Sequence, residues 1–71
     1  MKGMIEARAL MLKAQSREQL YSVVEIVCSN AGFAYESEYG LAENAMLAQQ
    51  LERRPVVELL NFAQTREKVL K

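Results

Sequence analysis

The strongest pattern in the chain lies between residues 16 and 31, where Leu20, Val24, Val27 and Ala31 recur at helical spacing, flanked by Val23, Ile26 and Cys28. Glu18, Ser22, Glu25 and Ser29 fall together on the opposite face, so the segment reads as an amphipathic helix. Its ends are also marked. Ser16 is a good N-cap, and Gln19 follows at the spacing of a capping box. Asn30-Ala31-Gly32 is a stop, because Gly32 takes the left-handed C′ conformation without a Cβ penalty, and Phe33 is then placed to pack back on the helix end.

Three further segments read as helical. Residues 2–14 are dominated by Ala, Leu, Met, Lys, Glu and Arg, all strong helix formers. Met4, Ala7, Met11 and Ala14 line one side with Ile5, Ala9 and Leu12 beside them, and Lys2, Glu6 and Lys13 share the polar side. The run "EARALMLKA" also alternates loosely, which is a strand pattern. In residues 41–53, Leu41, Asn44, Ala45, Leu47, Ala48 and Leu51 share a face, and Met46 falls away from it. Pro55 ends that helix and opens the next, since proline bends its predecessor out of helical geometry but suits a first turn. Residues 55–70 follow, with Val56, Leu59, Leu60, Phe62, Ala63, Val69 and Leu70 inward and Lys68 and Lys71 in the last turn.

These segments predict a compact all-α bundle of three or four short helices, with an aromatic and acidic loop across one end. The competing layout is a small α+β fold, β-α-β-α-α, in which residues 5–12 pair with residues 33–39. Composition favours the bundle: glycine numbers three and proline one, too few for the turns of a many-stranded fold. With 71 residues, 51% of them hydrophobic and 25% charged, the chain is expected to form one globular domain over 1–71.

The chemistry is sparse. The chain has no histidine, hence neither the commonest general base nor the commonest metal ligand. No metal site and no cofactor is expected. Its one cysteine, Cys28, has no base to activate it and reads as a small buried hydrophobe. Glu36 and Glu38 are close in sequence, but paired acids do chemistry only in a cleft that tunes them. The chain therefore reads as a protein without catalytic residues. No apolar run exceeds four residues and no signal-peptide pattern is present, so no membrane contact and a cytoplasmic location are expected.

Net charge is zero, yet the charges are sorted. Between residues 18 and 43 the chain carries Glu18, Glu25, Glu36, Glu38 and Glu43 and no base, while both flanking stretches are net basic. Inside this acidic stretch lies "GFAYESEYG", residues 32–40, with three of the five aromatics. Phe33 is expected to plug the end of the bundle. Tyr35 and Tyr39, beside Glu36 and Glu38, form a candidate contact surface, because tyrosine offers rigid area with a polar tip. Met46, off its apolar stripe, is a further candidate contact. Met4 and Met11 follow the helical stripe and read as core filling. Arg53 and Arg54 offset the dipole at the end of the third helix and are candidates for contact with an acidic group.

A non-enzymatic small regulator, inhibitor or adaptor follows from these features, docking on a larger protein with a basic patch. Nucleic-acid enzymes such as RNA polymerase are one such class, and small proteins of phages and mobile elements act in this way, an analogy at the level of fold. The alternative is a dimeric helix-turn-helix DNA-binding protein, with Asn44, Gln49 and Gln50 reading base edges. Against it, the join from Gly32 to Gly40 is long for that motif and acidic where phosphates would lie, so direct nucleic-acid binding is not expected. A homodimer through a surplus apolar face of the first or last helix is a further option.

Overall fold

The computed structural model describes residues 2–70, with side chains from residue 5 to residue 70. The expectations for the side chains of Lys2, Met4 and Lys71 lie outside the described residues. Four helices follow in order: α1 Lys2–Lys13, α2 Arg17–Asn30, α3 Gly40–Gln50 and α4 Arg54–Glu67. There is no strand among the described residues, so the β-α-β-α-α layout is set aside: residues 5–12 are helical and 33–39 irregular. The alternation in "EARALMLKA" gave way to helix propensity.

The last helix organises the rest. α4 packs against α1, α2 and α3, whereas α3 meets no helix but α4 among the described residues. The core joins Leu59, Leu60 and Ala63 of α4 with Met11, Leu20, Val24, Cys28 and Ala48, all buried. Among the described side chains α1 contributes a narrow row, Ala7 and Met11, continued by Ala14 just past its end, while Ile5, Leu10 and Leu12 stay largely exposed. Ile26, Leu51 and Val69 are also exposed, although the sequence pattern put each in or beside an inward set. Val69 lies past α4, which ends at Glu67, and there Leu70 is the residue that turns inward. Leu51 is the C-cap residue of α3, which ends at Gln50.

The helix ends follow local rules closely. At α2, the Ser16 hydroxyl accepts from Gln19 N at 3.2 Å. The Gln19 side chain accepts in turn from Gln15 N at 2.8 Å, one residue earlier than a standard capping box. At the other end Phe33 N donates to Cys28 O at 2.9 Å and Gly32 N to Ser29 O at 3.0 Å. With Gly32 at φ +76°, this is a Schellman cap, and Phe33 is buried as expected. α3 ends the same way: Arg53 N reaches Ala48 O at 2.8 Å and Glu52 N reaches Gln49 O at 3.0 Å. Here the left-handed residue is Glu52, at φ +56°. A side chain with a Cβ is strained there by about 1 kcal/mol. Glu52→Gly is therefore expected to stabilise the fold by about 0.5–1 kcal/mol, read as a higher urea midpoint at unchanged slope. A midpoint that stays put or falls would refute the strain.

Three arginines tie helix ends to distant segments. Arg66 of α4 donates to Met11 O at 3.3 Å, Leu12 O at 3.1 Å and Ala14 O at 2.9 Å, closing the C-terminal end of α1. Arg53 donates to Ala31 O and to Gly32 O at 3.4 Å, closing α2. Arg17 donates to Leu70 O at 3.1 Å, just past α4. Each guanidinium meets carbonyls in the last turn of a helix or just past it, the side on which the negative end of the helix dipole lies.

Candidate functional site

The loop between α2 and α3 is built around a buried amide. Asn44 lies fully buried on the apolar face of α3. Its Oδ1 accepts from Glu36 N at 2.7 Å, and its Nδ2 donates to Glu36 O at 2.7 Å and to Gly40 O at 2.6 Å. One side chain thus imitates a strand partner for Glu36 and fixes the path of the loop. Tyr39 N donates to Glu36 O at 3.1 Å, closing a turn, and the chain enters α3 through Gly40 at φ +84°.

Pinned this way, the loop forms one wall of a cleft of about 250 Å3. Tyr35, Ser37, Glu38, Tyr39 and Gly40 line that wall, Tyr21 comes from α2 and Glu67 from the last residue of α4. Tyr39 is exposed at the rim and Tyr35 is half-buried against the core. The Tyr21 hydroxyl donates to Glu67 Oε2. That hydrogen bond, more than burial, raises the pKa of Tyr21. Desolvation comes first in raising that of Tyr35, and repulsion from Cys28, Glu25, Tyr21 and Glu67 in their ionised forms adds to it. Both phenols are therefore protonated at neutral pH and carry hydroxyl donors. Among the described residues the cleft lining holds three phenol rings and two carboxylates and no cationic side chain, although the charge of Arg17 reaches Tyr21.

The candidate contacts named from the sequence divide between this cleft and other places. Tyr35, Glu38 and Tyr39 line it. The Glu36 side chain is exposed, while its backbone is held by Asn44. Met46 is exposed on α3, outside the cleft lining. Arg53 is half-buried and holds the end of α2, not that of the third helix as its position in the chain suggested. Arg54 is the first residue of α4 and lines a wider groove of about 650 Å3 with Gln49, Glu52, Val57 and Asn61. That groove has one acid, one base and no aromatic ring, so it favours no ligand charge.

Two cleft residues, Tyr21 and Glu67, were not singled out from the sequence. Nothing short of the packing of α2 on α4 brings them together, since they stand 46 positions apart. Asn44 did carry a signal, a polar residue in an apolar row. Its hydrogen bonds to the loop remove it from base reading. Cys28 is fully buried, and burial pushes its thiol up to about 11. It is a packing residue held in the unreactive form.

Among the described residues no group of histidines, cysteines and carboxylates is placed to hold a metal ion. No described helix is long and apolar enough to cross a membrane. Comparison of the chain with protein-family models, curated proteins and solved structures finds no match.

Proposed function

We propose that this chain is a non-enzymatic binding protein, a small regulator, inhibitor or adaptor that docks on a larger protein through the face containing the 32–40 loop. The supporting observation is the cleft itself: Tyr21, Tyr35 and Tyr39 gathered with Glu38 and Glu67, with no base in the lining among the described residues. Rigid aromatic area beside fixed negative charge suits a basic, partly apolar surface. Basic channels and flanks of that kind belong to nucleic-acid enzymes, RNA polymerase among them, and such enzymes are the partner class proposed here.

Helix-turn-helix DNA binding has less support. α2 and α3 do not pack on each other. Arg53 already serves the end of α2, and net charge is zero.

The test is affinity capture from the source cell with the wild-type chain and with a Glu38→Lys, Tyr39→Ala variant. Both side chains are exposed, so helicity by far-UV circular dichroism is expected to be unchanged. The proposal expects a defined partner that the variant loses. Identical capture by both chains would refute the docking face.

A further inference from the structure

The size and lining of the cleft narrow its occupant from a basic surface to one side chain. At about 250 Å3 it falls below the ~300–1,000 Å3 usual for small-molecule sites. A single long side chain is the natural fit. Its rings offer π faces that attract a cation, and its carboxylates come from separate walls, Glu38 from the loop and Glu67 from α4. The Tyr21 hydroxyl steadies one of them by donating to Glu67 Oε2, and a carboxylate has further lone pairs to offer.

Those two features favour a guanidinium over an ammonium. The guanidinium is flat, stacks on aromatic faces and spreads five donors in a fork, whereas an ammonium is a compact, strongly hydrated point charge. We propose that the cleft seats one arginine side chain of a partner protein, stacked among Tyr21, Tyr35 and Tyr39 and bridging Glu38 and Glu67. This rests on the reading that the same face docks a basic partner.

The experiment is an NMR titration of the full chain with three acetylated, amidated alanine-rich hexapeptides. They carry a single arginine, lysine or citrulline, the last being the neutral isostere of arginine. The arginine peptide is expected to shift the signals of Tyr21, Tyr35, Glu38 and Tyr39. The lysine peptide should bind at least about threefold more weakly, and the citrulline peptide should leave the signals in place. Tyr39→Ala should weaken the arginine peptide about two- to fivefold, the loss of one cation–π contact at an exposed site. Glu38→Gln should weaken it by up to about fivefold, the range of an exposed ion pair.

Equal or tighter binding of lysine, equal binding of citrulline, or arginine shifts confined to other residues would overturn the proposal. So would silence with all three peptides. If partner capture still depends on Glu38 and Tyr39 in that case, the docking face stands and only the arginine seat falls. If capture is independent of them too, both fall.

Discussion

Asn44→Ala is expected to lower stability by about 1–3 kcal/mol, because it removes the buried partner of the Glu36 amide and of the Gly40 carbonyl, while the Glu36 carbonyl keeps its bond from Tyr39 N. A domain of this size has about 4–10 kcal/mol in total, so the urea midpoint should fall by a large fraction. Amide exchange at Glu36 should quicken more than exchange in α2. Asn44→Asp should be worse at neutral pH. It keeps an acceptor for Glu36 N but sets a carboxylate against two carbonyl oxygens. Burial against acceptors raises the folded pKa of that carboxyl, so its neutral form favours the folded state. The stability of this variant should therefore be greatest in acid and fall as the pH rises through that raised pKa. A midpoint for Asn44→Ala equal to wild type would show that the loop does not depend on this amide.

Leu60→Ala should cost about 2–5 kcal/mol, the range for removing a fully buried leucine and leaving a void. Its position makes the upper half of that range the expected one. Leu60 lies on the helix that touches all three others, so no single helix can move in to fill the space. In a domain of this length about 3 kcal/mol corresponds to roughly 12–24 °C in melting temperature, read by circular dichroism at 222 nm. Val69→Ala, at an exposed position, should shift the midpoint by less than about 0.5 kcal/mol. If the two variants melt together, the burial pattern described above is wrong.

The contrast between Leu60 and Val69 shows what the sequence could reveal. Helix identity was legible from local information: the apolar spacing of α2, its Ser16 and Gln19 cap, Gly32 at its end and Pro55 at the start of α4. These depend on neighbours in the chain, and the structure has them. The width of each apolar face was not a guide to burial. Ile5, Leu12 and Ile26 belong to apolar rows, yet they are exposed, because α1 and α2 do not have a neighbour on every apolar side. Periodicity reports where apolar residues lie round a helix. How many partners that helix will have is a property of the whole packing.

The same division runs through the cleft. Tyr35, Glu38 and Tyr39 share one short loop, so their proximity could be read directly. Tyr21 and Glu67 enter only through the contact between α2 and α4. Arg53 was misplaced for a similar reason: a cation after one helix was assigned to that helix, while the carbonyls it reaches belong to α2.

Because the walls of the cleft come from α2, the loop and the end of α4, it vanishes when those parts separate. Whatever settles there must engage the assembled chain and cannot grip the unfolded one equally well. By mass action an occupant at 100 times its dissociation constant would add about 2.7 kcal/mol of resistance to unfolding. In a molecule with so slender a margin, the partner would also act as a brace, and a cell lacking that partner would hold the chain in its most protease-prone form.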